Sequence, residues 1–159
     1  MRCIINPIII SILIIQSLIF NPTWSVYSSK IYKISLKHPS HWKSNSKYSN
    51  RFDGTDGFFQ ISASSGKDLS IDDIVKFDVT HLSKPYGSNP MIKNLKIQGI
   101  EARLILPSSD QIEEMTNQAA LIIRYPKPVI INDITYSYLV LWADKDHIVE
   151  ISKTIKFIY

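Results

Sequence analysis

The side chains of this sequence best suited to chemistry are four histidines, His38, His41, His81 and His147. An imidazole can serve near neutral pH as a metal ligand or a general base. A zinc peptidase needs His-Glu-x-x-His, which sets two imidazoles one helical turn apart with a glutamate as base. No such run occurs, and no two histidines fall one turn apart on an expected helix. His38-Pro-Ser-His41 has the spacing to pinch a metal, yet it lies in an expected loop with no Asp, Glu or Cys close by in sequence to complete four ligands. His81 and His147 fall on expected helices, where a surface histidine is the simpler reading. Serine chemistry has no better start, because neither Ser108 nor Ser109 stands in a Gly-x-Ser-x-Gly elbow. The five glycines never gather into a phosphate loop. Asp110, Glu113 and Glu114 read as an exposed acidic turn rather than as paired glycosidase carboxylates. The sequence therefore predicts no catalytic residue, no metal and no cofactor.

Binding has more material. Arg103 and Arg124 fall mid-strand, and an arginine aimed into covered space needs either an anionic ligand or an internal ion pair, for which Glu101 and Asp144 are the internal candidates. Tyr86 and Asn89 belong to Pro85-Tyr-Gly-Ser-Asn-Pro90, a run of turn formers of the kind that carries binding residues. These four are the candidate binding residues. The stretch from Lys30 to Phe52 carries Lys30, Lys33, Lys37, Lys43, Lys47 and Arg51 with no acidic residue, within a net charge of +4. It reads as a solvated edge whose lysines discourage strand pairing, or as a weak contact for anionic membrane or wall polymer. No nucleic-acid partner is expected.

The elements that must position these residues follow from periodicity. Tyr32, Ile34 and Leu36 alternate with polar residues as in a half-buried strand that stops at His38-Pro39, and Trp42 closes one end of the core. Tyr48–Asp53 and Phe58–Ser64 form a hairpin around Gly54-Thr-Asp-Gly57. Ser70 caps a helix with Asp72 and Asp73 in its first turn and an apolar stripe of Ile71, Ile74, Val75, Phe77 and Leu82. Strands follow at Ile92–Ile97 and Ile100–Leu106. Ala119–Tyr125 and Tyr136–Trp142 are apolar on both parities and belong at the sheet centre. A last amphipathic helix opens at Asp144 and carries Ile148, Ile151 and Ile155 through to Phe157. The order is β-β-β-α-β-β-β-β-α, an α+β fold with a mainly antiparallel sheet flanked by helices.

Ahead of these elements, Arg2 and the apolar run Ile8–Phe20 have the form of a signal peptide. The run is shorter than the roughly 20 apolar residues of a membrane span, and Asn21-Pro22 ends it. Cleavage after Ser25 or Ser28 lacks small residues in the right places, so an uncleaved signal anchor stays open beside a cleaved signal. The division is thus 1–28 as signal peptide or anchor and 29–159 as one domain, and a chain beginning at Ser29 is expected to fold without metal. The only cysteine is Cys3, so the domain holds no disulfide and no thiolate chemistry.

Tyr32-Lys-Ile-Ser-Leu-Lys-His-Pro-Ser-His-Trp42 resembles the Tyr-x-Phe-x-x-x-Pro-x-x-Trp opening of PsbP-like and DcrB-like domains, with His38 in place of the usual aromatic. The later stretches Asn117–Pro128 and Trp142–His147 are similar to small exported proteins of Gram-positive spore formers, some named after TolB-like proteins or BlaR-type peptidases. The resemblance implies an αβα sandwich used for docking to other proteins, and it carries no catalytic residue to this chain. The expected function is a non-catalytic binding or interaction module, secreted or held at the outer face of the cytoplasmic membrane, with a protein partner at the cell envelope. The alternative is a small secreted hydrolase of wall or peptide material, which requires the histidines to meet serine or acidic residues around one cleft.

Overall fold

The computed structural model describes residues 23–159, so the apolar run and most of the expected targeting segment lie outside the described residues. Two antiparallel sheets dominate. The larger runs β3 (Lys43–Ser44), β4 (Arg51–Asp53), β5 (Phe58–Ser64), β9 (Ile134–Asp144), β8 (Gln118–Ile131), β7 (Ile100–Leu106) and β6 (Met91–Ile97) in spatial order. The smaller has β2 (Ile34–Pro39) between β1 (Trp24–Ser29) and β10 (Lys156–Phe157). Two short helices complete the fold, α1 (Ile71–Val79) and α2 (Ile148–Lys153), with a 3-10 turn at Glu113–Met115. The result is mainly sheet, with less helical cover than the expected helix-flanked sandwich.

Turn chemistry sets the meander. Gln98-Gly99 and Asn132-Asp133 both have two consecutive positive φ values, 52° with 79° and 50° with 64°. That is the signature of two-residue turns whose twist matches a hairpin. The β8–β9 hairpin is much longer than the two strands read from sequence, because Pro126 and Pro128 do not end β8. They fall where its register with β9 shifts, between Arg124 and Val129. Pairing with β7 reaches only Ile123, so this part of β8 has a free edge and the missing amide hydrogens cost no ladder bond.

Both faces of the sheet centre are covered, as Leu121-Ile-Ile123 and Leu139-Val-Leu141 require. Leu121, Ile123, Leu139 and Leu141 join Phe59, Ile61, Ile34, Leu36, Ile148 and Ile151 in the larger core. Ile122, Tyr138 and Val140 join Ile71, Ile74, Val75, Tyr86 and Ile105 in the smaller one. The smaller sheet and α2 therefore lie over one face, and α1 over the other.

Several expectations change. The closing helix does not open at Asp144, which is the last residue of β9. Its carboxylate accepts the backbone N–H groups of Asp146 and His147, each at 3.1 Å, so it caps the turn ahead of α2. Nor does that helix reach Phe157. Thr154 donates its hydroxyl to the Ile151 carbonyl and accepts the Lys37 amide of β2, and the chain leaves as β10. Ile148, Ile151 and Ile155 are all buried even so. In α1 the buried stripe is Ile71, Ile74 and Val75 with Val79 packed against it, and it leaves out Phe77, 67% exposed, and Leu82, beyond the helix, 98% exposed. β1, a strand the sequence reading does not assign, pairs with β2 from Trp24↔Pro39 to Ser29↔Ile34, ahead of the stretch 29–159.

Candidate binding site

The α1 helix is well specified locally. Ser70 and Asp73 form a reciprocal capping box, Ser70 Oγ accepting the Asp73 amide at 3.1 Å and the Asp73 carboxylate accepting the Ser70 amide at 2.9 Å. Arg103 of β7 donates to Asp72 at 2.7 and 3.2 Å and ties the helix down over β7 and β8. Nine residues make a rod about 14 Å long. Seven strands span about 29 Å at the usual spacing, so whichever way it lies α1 covers only part of the sheet.

On β9 this face is covered, Tyr138 and Val140 being buried in the smaller core, whereas along β5 it is only partly covered, with Gln60, Ser62 and Ser64 half-buried. Phe59, Ile61 and Ala63 pack inward, while Gln60, Ser62 and Ser64 face outward opposite Trp142, Val140 and Tyr138. A groove of about 400 Å³ runs along α1 there, lined among others by Ser62, Ser64, Ile74, Phe77, Asp78, Tyr136, Val140 and Trp142. One hydrogen-bonded chain stiffens its wall: the Trp142 indole donates to the Tyr86 hydroxyl at 3.1 Å, which donates to Asp78 at 2.5 Å. Burial raises the Asp78 carboxyl, opposed by the Tyr86 hydrogen bond and by the His81 charge. Burial, then the Asp78 charge, pushes the Tyr86 phenol far above its usual value. Beyond Gln60 the same face continues into a second hollow bounded by Asn45, Arg51, Asp53, Glu114 and Gln118.

Among the sequence candidates, the structure brings Tyr86 to this groove but from beneath, at 1% exposure. Asn89 is not part of the groove lining, and its backbone N–H donates to Ser108 Oγ at 3.2 Å. Arg103 is buried and engaged by Asp72, by Glu101 at 3.0 Å and by the Ala102 carbonyl. Arg124 lies 3.5 Å from Glu101 and over the Tyr138 ring at 5.0 Å. The internal pairing to Glu101 thus forms for both arginines, and Asp144 takes no part. The six bases spread over several elements: Lys30 and Lys33 flank the β1–β2 turn, Lys37 lies on β2 and Lys43 on β3. Lys47 is in the β3–β4 loop, and Arg51 pairs with Asp53 at 2.8 Å above the Phe58 ring.

The histidines do not form one cleft with a nucleophile. His38 is buried against Phe52 and Phe59, and burial lowers its basicity. His41 contacts Asp56 at 2.7 Å, and the Trp42 indole donates to the same oxygen at 2.8 Å. His147 stands between Asp144 at 2.7 Å and Asp56 at 3.8 Å. Two histidines therefore meet at Asp56, with no serine bonded to either among the described residues. His81, itself exposed, contacts Ser83. Among the described residues no group of three or more His, Cys, Asp or Glu is placed to hold a metal. Asp110 is held by the Ser108 and Ser88 hydroxyls, which keep its carboxyl well below the usual range, apart from Glu113 and Glu114 on their 3-10 turn.

The sequence reading missed Ser62, Ser64, Asp78 and Trp142. A signal is present in Phe58-Phe-Gln-Ile-Ser-Ala-Ser64, where one parity of the strand turns polar from Gln60 on, through Ser62 and Ser64, although the strand lies next to the central strand of a covered sheet. Among the described residues no helix is long and apolar enough to cross a membrane. Comparison of the chain with protein-family models found no match, and comparison with curated proteins found none.

Proposed function

We propose that this chain is an extracytoplasmic binding or interaction module without chemistry of its own, and that it works through the groove between α1 and β5 on the seven-stranded sheet. The observation that carries the reading is the groove itself. It is a shallow hollow of about 400 Å³ in which apolar side chains from β9 and α1 meet Ser62, Ser64 and Asp78, a volume within the range of ligand sites. Export behind residues 1–28, by a cleaved signal or an uncleaved anchor, rests on the charged start and the apolar run ahead of it. A PsbP-like αβα architecture is supported by the Tyr32–Trp42 opening and by the placing of α1 and α2 on opposite faces of the larger sheet. A protein partner at the cell envelope is the occupant this reading expects.

A long charged side chain laid across the groove tests it. Ser62→Arg fills the groove, whereas Val26→Arg adds the same charge on exposed β1. Both proteins should melt near the parent. Pull-down from the producing cell should recover a reproducible partner with the parent and with Val26→Arg, and lose it with Ser62→Arg. Equal recovery by all three, or no partner with the parent, contradicts the reading.

A further inference from the structure

We propose that the groove beside α1 seats a primary alkylammonium group, a lysine side chain or a free alkyl amine, with its nitrogen on the Asp78 carboxylate and its chain along Trp142 and Phe77. This inference rests on the reading of the groove as a binding site and adds the chemistry of its ligand. Asp78 is the one charged side chain in the lining of the groove. Tyr86 occupies its Oδ2, and among the described residues no Lys, Arg or His forms an ion pair with it. His81, the base whose charge reaches it, is turned to Ser83 instead. A half-buried carboxylate with no counter-charge is costly, and a cation entering from the groove removes that cost.

The walls select among cations. Trp142, Phe77 and Tyr136 offer aromatic surface, which attracts an ammonium and packs against an alkyl chain. Ser62 and Ser64 add hydroxyl oxygens that accept hydrogen bonds. A primary ammonium brings three N–H donors to these acceptors and to Asp78, whereas a quaternary ammonium brings none. A neutral alkyl chain of the same length gains only the apolar contact.

The test follows the indole N–H signal of Trp142 by nuclear magnetic resonance in the full chain, assigned with Trp142→Phe. The probes are n-butylammonium, Nα-acetyl-lysine methylamide, tetramethylammonium and the neutral Nα-acetyl-norleucine methylamide. Saturable shifts with both primary amines are expected, with tetramethylammonium and the norleucine probe weaker by at least about tenfold, the worth of one charge-assisted hydrogen bond. The tighter of the butylammonium and lysine arms tells a free amine from an amino-acid side chain as the source. Asp78→Asn, which keeps an acceptor for Tyr86, should weaken the amines by a similar factor at an unchanged fold. Norleucine binding as tightly as lysine, amines binding Asp78→Asn as tightly as the parent, or no saturable shift with either amine each overturns the proposal. Loss of partner with Ser62→Arg in the absence of amine binding would remove the ammonium and leave the docking groove. Amine binding with a partner unaffected by Ser62→Arg would do the reverse.

Discussion

Replacing Ile151 by alanine removes a side chain that is 0% exposed from the middle of α2. This helix packs on β2, β8 and β9, so it joins the three-stranded sheet to the seven-stranded one. The neighbours that would have to collapse into the space, Ile34, Leu36, Leu121 and Leu141 among them, belong to strands of the two sheets and cannot close in freely. The loss should therefore lie in the upper part of the 2–5 kcal/mol range for such truncations, about 4 kcal/mol. That is a large share of the roughly 5–15 kcal/mol that holds a domain together. Lys153→Ala on the exposed side of the same helix breaks only the Lys153–Glu150 contact and should cost less than about 0.5 kcal/mol. Equilibrium titration with urea reads both. Coincident midpoints for the two variants would refute the packing of α2 between the sheets, and with it the two-faced layering of the fold.

Three further outcomes follow from individual contacts. Because the folded-state Asp78 carboxyl is raised, the folded chain holds its proton longer than the unfolded chain does, so the parent should lose stability relative to Asp78→Asn as pH rises from about 4 through that raised value; a difference in melting temperature that stays flat between pH 3 and 8 contradicts this. Gly57→Ala would place a methyl 2.1 Å from Asp144 Oδ2, displacing a carboxylate that accepts the Phe58 amide at 3.2 Å, and should cost about 1–3 kcal/mol in thermal unfolding; an unchanged melting temperature counts against the loop as described. A chain beginning at Ser29 loses nearly all of β1 and should unfold at lower urea than one beginning at Thr23; equal midpoints would count against β1 as part of the folded unit.

Periodicity and caps were enough to place most elements. Ser70 with Asp73, the turn Gln98-Gly99 and the two-sided apolar strands β8 and β9 are local patterns, and local patterns are what a sequence displays. What escaped depended on partners far along the chain. β1 hid within a segment read as targeting because its strand character shows only when paired with β2. The final helix was overdrawn because Ile148, Ile151 and Ile155 have helical spacing, although Ile155 is buried from the turn before β10 rather than from α2. The mid-strand arginines were correctly seen to need acids, and Glu101 was in view, but Asp72 on α1 was not. The groove was the least legible feature, since it exists only because a nine-residue helix is shorter than the sheet is wide. Tyr86 reads from sequence as a candidate binding residue on a run of turn formers; its hydroxyl instead braces the groove from below.

The groove beside α1 is the surface proposed to be occupied in the cell. The only cysteine is Cys3, so with Cys3→Ser a single thiol at Ser62, on the groove, or at Val26, on the exposed face of β1, can carry a photoreactive cross-linker. Irradiation in the producing cell, with the products separated by mass, asks directly which surface is occupied. The account requires one discrete adduct from Ser62→Cys and none from Val26→Cys. Adducts of the same kind from both positions, or from Val26→Cys alone, would contradict it.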